Sequence, residues 1–533
     1  MNLPGEFNYS GKPVVVIGNG PVGQTTALLL ARWGIPVVVL DQRTERDLVG
    51  SKAICQQRDV LDVWSSVGAG EQIAAEGLTW TTVRTFYREH ELFNYELQDL
   101  GNSRFPPFVN ISQCRTEEIL DEKIAAQPLI EVRWGHDVSA IDQDADEVRL
   151  RCGTAEGEVT ITAPYVVSCA GAKGSLIRKS LDVSFEGVSF DDRFLICDIR
   201  TDLPGWESER RFYFDPEWNP GRQVLIHPCP NSTFRIDWQV PAEYSLEEDE
   251  LAGGLDARIR HIVGDQPYDI VWKSVYRFQS RIVDRMHVGR VLLAGDCAHL
   301  VAPFGARGLN SGVADAENAA WKIAFVLRGF SPATILSTYH DERHAAAVEN
   351  LDVTTATMDF LVPQDEQQWQ HRRAILEHSV SSAETRAQVD SGRLSEPFWY
   401  SQSPLTTCDA GRPVATRPPR GGVQAPAPGV IVPDVPLQID HDATTLRMIA
   451  RAGILLLTGI SVGDIEPLHD WPVRILSIGH IDPDGHLATA LGIRSDEIWV
   501  IRPDAHIAAI VGNQADLERA VSKLLGLSLD RVT

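Results

Sequence analysis

Three features predict a mixed α/β (α+β) chain with a Rossmann-like dinucleotide-binding domain interleaved with an antiparallel sheet. They are a glycine-rich strand, turn and helix near the start, a second glycine-punctuated strand and helix far along the chain, and period-2 alternation between the two. At 533 residues the chain exceeds what one hydrophobic core usually supports, so several domains are expected.

Residues 13–17 form a β-branched run ending in Gly18-Asn19-Gly20-Pro21-Val22-Gly23, and residues 24–33 repeat apolar positions at helical spacing. The first glycine permits the tight turn, the second lets backbone approach a pyrophosphate, and the third allows close helix packing. Pro21 suits a first helical position, where no N–H is needed. The helix N-terminus offers donors to phosphates. Residues 36–40 form the next strand and deliver Asp41, placed to accept from a ribose hydroxyl, with Gln42 and Arg43 completing this candidate cofactor set. At this point the fingerprint fits FAD and NAD equally.

Between residues 185 and 272 several short runs alternate apolar and polar residues, the signature of a half-buried antiparallel sheet. Tyr213, His227, Arg235, Trp238 and Tyr276 form a candidate group for an aromatic pocket. For each taken singly the bland reading is stronger: a core aromatic, a structural histidine, or a surface arginine beside Asp237.

Residues 289–299 read as another buried strand, delivering Gly295 and Asp296. The loop Pro303-Phe304-Gly305-Ala306-Arg307-Gly308-Leu309-Asn310 then runs into a helix expected over residues 313–327. FAD is long enough to need a distant second segment. Asp296 would accept from ribityl hydroxyls, and backbone N–H groups at Leu309 and Asn310 would face the flavin. Taken alone, Asp296 reads as a cap or turn residue.

Composition narrows the function. The formal charge of -24, with 73 acidic against 49 basic residues, disfavours nucleic acid and anionic membrane as partners. The first eleven residues carry no signal-like pattern, and no uncharged apolar run is long enough to span a bilayer. Eight cysteines show neither CxxC nor zinc-like spacing, so they are expected to be reduced thiols in a cytoplasmic protein that binds no metal.

These segments resemble the FAD-dependent aromatic hydroxylases, a family of flavoprotein monooxygenases. The likeness covers most of residues 12–350 and includes Tyr276-Arg277-Phe278, Asp315-Ala316-Glu317-Asn318, Trp321-Lys322, Tyr339 and Glu342-Arg343. It implies FAD as cofactor, NADH or NADPH as transient co-substrate, and O2. The product would be a hydroxylated phenol-like aromatic compound, formed through a flavin C4a-hydroperoxide. It also implies that Gln113 lies near the flavin or ribityl chain, that Lys52 supplies charge where relatives place an arginine, and that Pro303 sits near the flavin. A homodimer fits the family. The same fold also hosts Baeyer-Villiger oxidation, epoxidation and oxidative removal of a ring substituent, and a flavin-binding protein without turnover is a further alternative.

One departure stands out. Where the family carries an Asp-Gly motif after a buried strand, this chain has Cys169-Ala170-Gly171, without the carboxylate. Coenzyme preference is therefore open, with Arg178 as the remaining cation for a negatively charged partner.

The expected organisation is an FAD-binding domain in two parts, residues 1–184 and 276–394, flanking a substrate-binding sheet over residues 185–275. A Pro/Gly/Ser/Thr-rich linker follows over residues 395–432. Residues 433–533 resemble the thioredoxin-like tail of the same family. No cysteine follows Cys408, so thiol redox chemistry is excluded there and a structural or subunit-contact role is expected.

Overall fold

The computed structural model describes residues 9–47, 53–99, 102–414, 417, 424–439, 442–459, 465, 468, 471–482 and 484–527. The N-terminal run becomes the strand Val14–Ile17, buried at every position, and the helix Pro21–Arg32 follows it with proline in its first turn. Val37–Leu40 and Val166–Ser168 flank that strand in parallel, and Ile130–Arg133 and Val291–Leu293 extend the sheet outward on the two sides, also in parallel. Near-continuous Val and Leu in the central strands reflect burial on both faces, as a parallel sheet between helices demands.

The second sheet has eight strands, running in the order His299–Leu300, Asp269–Val283, Phe185–Arg200, Thr233–Val240, Gln223–Cys229, Glu209–Phe214, Thr82–Tyr87, His90–Glu96. Its period-2 alternation divides two cores. Leu195, Cys197, Ile199, Val224, Ile226, Phe234, Ile236 and Trp238 face the helix Gly254–Val263. Phe194, Phe212, Phe214 and Leu225 face the other way, toward Phe304. This sheet is not confined to residues 185–275. Two of its strands come from before residue 100, and Asp269–Val283 runs straight across the expected boundary.

The long helix spans Arg307–Leu327, six residues longer at its start than apolar periodicity indicates. Gly308, Asn310, Ser311 and Gly312 belong to it but carry no apolar signal. The helix Ser337–Leu361 packs beside it, and the residues shared with the resembled family join the two. Asp315 accepts from Arg343 at 2.7 Å, His299 Nε2 lies 2.7 Å from Asp315, and Lys322 donates to Glu342 at 2.7 Å.

In the C-terminal region, Ile454–Thr458 pairs in parallel with Val473–Ser477 and antiparallel with Ile498–Ile501, which pairs antiparallel with Ile507–Val511; the helix Gln514–Leu524 closes the unit. The segment read as an extended linker is anchored along its described part. Thr407 N–H donates to Ala508 at 2.8 Å, Gly429 N–H to Ile507 at 2.7 Å, and Tyr400 is buried. Composition signals a lack of regular structure, and backbone pairing to a neighbouring strand supplies the order that composition cannot reveal.

Ion pairs bind this unit to the first domain. Arg447 meets Asp59 and, at 2.9 Å, Asp62; Arg451 meets Glu317 at 2.6 Å; Arg502 meets Glu342 at 2.6 Å. Burial pushes the Glu342 carboxyl up, but Arg502 and Lys322 outweigh it and hold it well below the usual range. The native state therefore binds fewer protons at Glu342 than the unfolded chain does, so this stabilisation is present above about pH 5 and is lost as pH falls. Glu342→Gln leaves buried Lys322 without its carboxylate and Arg502 with Asp504 alone, and is expected to cost about 3–5 kcal/mol. Chemical denaturation should show a lower midpoint for the variant and a flatter response to acid than in the native sequence.

Candidate functional site

A cavity of about 760 Å³ runs between the two sheets. At one end it is lined by Gly18, Gly20, Pro21, Val22, Asp41, Gln42 and Arg43, so the glycine turn, the first helix and the end of the second strand open into one space. Gly20 has φ -88°, ordinary for any residue, and a Cβ built on it meets no protein atom within 4 Å. The space beside it is open to the cavity. Gly23 lies behind this surface, where a Cβ would come within 1.9 Å of the Gly18 carbonyl oxygen, so its role is packing.

Asp41 is more engaged than the sequence suggests. Its carboxylate accepts from Asn19 N–H at 2.8 Å and from Arg43 through the backbone N–H at 2.9 Å, Nε at 3.0 Å and Nη2 at 2.9 Å. Burial pushes this carboxyl up, yet the Arg43 and Asn19 hydrogen bonds outweigh it and hold it below its ordinary value. For Asp41 to accept a ribose hydroxyl, the Arg43 guanidinium must yield one contact.

Midway, Gln113, Asp296, Pro303, Gly305, Gly308 and Leu309 line the cavity. Ala306, the residue before the long helix, has φ +58°, a left-handed conformation unusual for a side chain with Cβ. That turn aims the helix start at the cavity, and the first-turn N–H groups of Arg307, Gly308 and Leu309 have no partner within the helix. Gln113 Oε1 accepts from Ala53 N–H at 3.2 Å, and its Nε2 donates to Glu117 at 2.8 Å.

Two expected contacts move behind the wall. Asn310 does not line the cavity; its side chain clamps the helix start to a neighbouring strand, accepting from Gln57 N–H at 3.1 Å and donating to the Cys55 carbonyl at 3.1 Å. Gly295 supports the wall from below, a Cβ there meeting Val22 at 3.1 Å. Lys52 lies outside the described residues. Arg178 is not available to a ligand. It is buried, donates to the Cys297 and Ala172 carbonyls at 3.1 and 3.2 Å, and sits 4.0 Å over the Phe185 ring. Ala170 and the exposed Lys173 line the cavity nearby.

The sheet roofs the far end, with Phe194, Ile196, Arg210, Leu225, His227, Arg235, Asp237 and Phe278 turned into the cavity. His227 and Arg235 thus stand where the sequence placed them. Trp238 does not. It sits one position past Asp237, and strand parity sends its ring into the opposite core. Tyr213 lies on that side too, stacked on Phe86 at 4.7 Å. Tyr276, opposite Phe194 in register, packs near Trp272 at 6.3 Å and falls outside the lining. Arg210, Asp237 and Phe278 were missed, although stepping by two from His227, Arg235 and Tyr276 reaches Leu225, Asp237 and Phe278.

The polar part of the roof is tightly built. Arg235 grips Asp198 through Nε at 2.7 Å and Nη2 at 2.8 Å, and His227 Nε2 lies 3.9 Å from Asp237 Oδ2. Burial, with Arg210 and Arg235 nearby, pushes His227 well below its ordinary value. Burial raises the Asp237 carboxyl to about 7 against the pull of Arg235. Among the described residues no group of His, Cys, Asp and Glu side chains could hold a metal ion, and no helix is long and apolar enough to cross a membrane. All eight cysteines are free thiols, and only Cys408 is exposed.

Residues 12–354 match the family model described as FAD binding domain. The 3-(3-hydroxy-phenyl)propionate/3-hydroxycinnamic acid hydroxylase of Comamonas testosteroni is 28% identical over 68% of this chain, and its counterpart in Paraburkholderia xenovorans is 30% identical over 66%. The chain spans 61% and 56% of the length of these relatives. A solved flavin-dependent monooxygenase, crystallised with FAD and substrate, shares the fold. Its TM-score is 0.82 at 21% identity, covering 97% of this chain and 99% of that one.

The glycine turn offers a direct check of the cradle. Gly20→Ala is expected to leave the unfolding midpoint of the apoprotein within about 0.5 kcal/mol of the native sequence, since the new methyl meets no protein atom. FAD affinity, measured by flavin fluorescence quenching, should fall at least about tenfold.

Proposed function

The chain belongs to the FAD binding domain family, and on that premise we propose that it is a monooxygenase that hydroxylates a phenolic or related aromatic compound, using NADH or NADPH and O2. One observation carries this reading: a single cavity joins the glycine turn and a helix N-terminus to an aromatic-lined roof with ionisable groups. Bound FAD would supply the redox chemistry, accepting reducing equivalents from the nicotinamide coenzyme and delivering one oxygen atom of O2 to the ring.

The protein's own residues bind, orient and shield. Gly18, Gly20 and the start of Pro21–Arg32 would cradle the pyrophosphate, Asp41 the ribose, and Asp296 with Gln113 the ribityl chain. The N–H groups of Arg307, Gly308 and Leu309 would face negative charge on the reduced ring system. Phe194, Phe278 and Phe304 would hold an aromatic substrate by ring packing, in the separations such pairs adopt: Phe194 lies 4.6 Å from Phe278 and 5.6 Å from Phe304. The same apolar wall would keep water from the reacting atoms. Free thiols and an acidic surface suit a cytoplasmic enzyme.

Ala170 leaves the coenzyme side of the cavity without the carboxylate usual in the resembled hydroxylases, and Lys173 is the cation on that side. The test is to purify the protein with FAD and record NADH and NADPH oxidation with and without a panel of phenols, hydroxyphenylpropionates and polycyclic phenols. At least one compound is expected to stimulate oxidation by about tenfold or more and to yield a product heavier by one oxygen atom. Flavin binding with no stimulation by any compound would refute aromatic hydroxylation.

A further inference from the structure

We propose that His227 and Asp237 act together as the proton acceptor for a hydroxyl on the substrate, with Arg210 and Arg235 facing the anion left behind. This rests on the aromatic-hydroxylase reading and narrows its substrate to ring compounds that present an ionisable hydroxyl to the roof.

The geometry comes from three adjacent strands. Arg210 rises from Glu209–Phe214, His227 from Gln223–Cys229, and Arg235 with Asp237 from Thr233–Val240. Register sets His227 opposite Arg235 and Leu225 opposite Asp237, so His227 and Asp237 are diagonal neighbours on one face. Their side chains retain only 13% and 20% exposure, and both open into the cavity. At 3.9 Å the imidazole and carboxylate are too far apart for a direct hydrogen bond. A hydroxyl oxygen about 2.8 Å from each would close the triangle.

Two further atoms here lack partners: His227 Nδ1 and Asp237 Oδ1 are both buried with no hydrogen bond. Unmatched buried polar atoms are unfavourable, and a ligand that brings polar groups to this roof can match them. The neighbouring groups set the charge balance. Asp198 holds Arg235 in a two-point pair, with the Trp272 ring 5.4 Å from that guanidinium, and Arg210 adds a second cation. With Asp237 titrating at about 7 and His227 held neutral by burial, the pair is poised to take one proton near neutral pH.

In the transfer, the substrate O–H bond breaks with its electron pair left on oxygen, and the proton passes to the His227–Asp237 pair. The phenolate faces Arg210 and Arg235, and its charge makes the ring a better nucleophile. When product leaves, the proton returns to an oxygen of the product.

The test reads ionisation directly, without turnover. The full-length FAD-loaded protein is titrated without coenzyme at about pH 8 with p-cresol, whose hydroxyl ionises at about 10 as that of tyrosine does, so that Asp237 is charged and free probe is not, and the phenolate absorbance of bound probe is recorded by difference. The native protein is expected to bind the probe as phenolate. Asp237→Asn and His227→Gln should each cut the ratio of bound phenolate to bound phenol about tenfold, while Asp237→Glu restores part of it. Retained flavin absorbance establishes that a variant is folded, and either folded variant decides the matter. No phenolate on the native protein, or an unchanged fraction in a folded variant, overturns the proposal. Phenol hydroxylation without probe ionisation would sink this proposal and spare the monooxygenase reading; ionisation without any hydroxylated product would do the reverse.

Discussion

The Asp315 carboxylate, buried in the middle of the long helix, fixes the geometry on which the cavity depends. It accepts from Gly295 N–H at 3.0 Å and from Arg343 Nε at 2.7 Å, and His299 Nε2 lies 2.7 Å away. One side chain thus holds the turn carrying Asp296, the strand beyond it and the helix Ser337–Leu361. Burial pushes this carboxyl up, but His299 and Arg343 outweigh it and keep it below its ordinary value. A buried carboxylate this fully matched cannot shift without losing several charge-assisted contacts, so the Asp296 turn and the helix start keep a fixed separation. Asn310 completes the constraint by tying the first turn of the helix to the strand Cys55–Gln57.

The roof obeys a different rule, imposed by the two-residue period of the strand. Odd positions of Thr233–Val240 place Arg235 and Asp237 on the cavity, and even positions place Phe234, Ile236 and Trp238 in the core. A shift of register by one would bury the arginine and aspartate among aromatics, at a cost far above that of a misplaced methyl group. The core face therefore protects the register of the cavity face, and the apolar side of the sheet determines where the ionisable groups stand.

This rule also shows what could be read in advance. The fingerprint strand, turn and helix were legible because each step has its own local signature: β-branched residues, glycines, and a proline at the helix start. Gly305, Gly308 and Leu309 were legible through motif resemblance, although the first six residues of their helix were hidden by small and polar side chains. Trp238 and Tyr213 were misplaced because aromatic content alone does not reveal which face of a strand a residue occupies. Arg210 and Asp237 were overlooked because a charged residue on an alternating strand reads as solvent-facing, and only the second sheet face closing over a cavity makes it otherwise. Arg178 went astray for the converse reason. A polar side chain near a ligand loop also has backbone groups to satisfy, and here those took precedence.

Attachment of the C-terminal unit adds a last constraint. In each ion pair described across that junction, the arginine belongs to the C-terminal unit and the carboxylate to the first domain: Arg447 on Asp59 and Asp62, Arg451 on Glu317, Arg502 on Glu342. This arrangement gives buried carboxylates of the first domain their counter-charge. Asp62 shows how narrow the balance is. Burial raises its carboxyl to about 6 even with Arg447 at 2.9 Å, so without that arginine it would take up a proton instead of remaining charged. Glu317 and Glu342 lie on the two helices that Asp315 joins, so the arginines of the C-terminal unit brace the same pair of helices from the outside. A unit without a single cysteine is thereby joined by charge to the two helices behind the cavity, one of which lines it with its N-terminus.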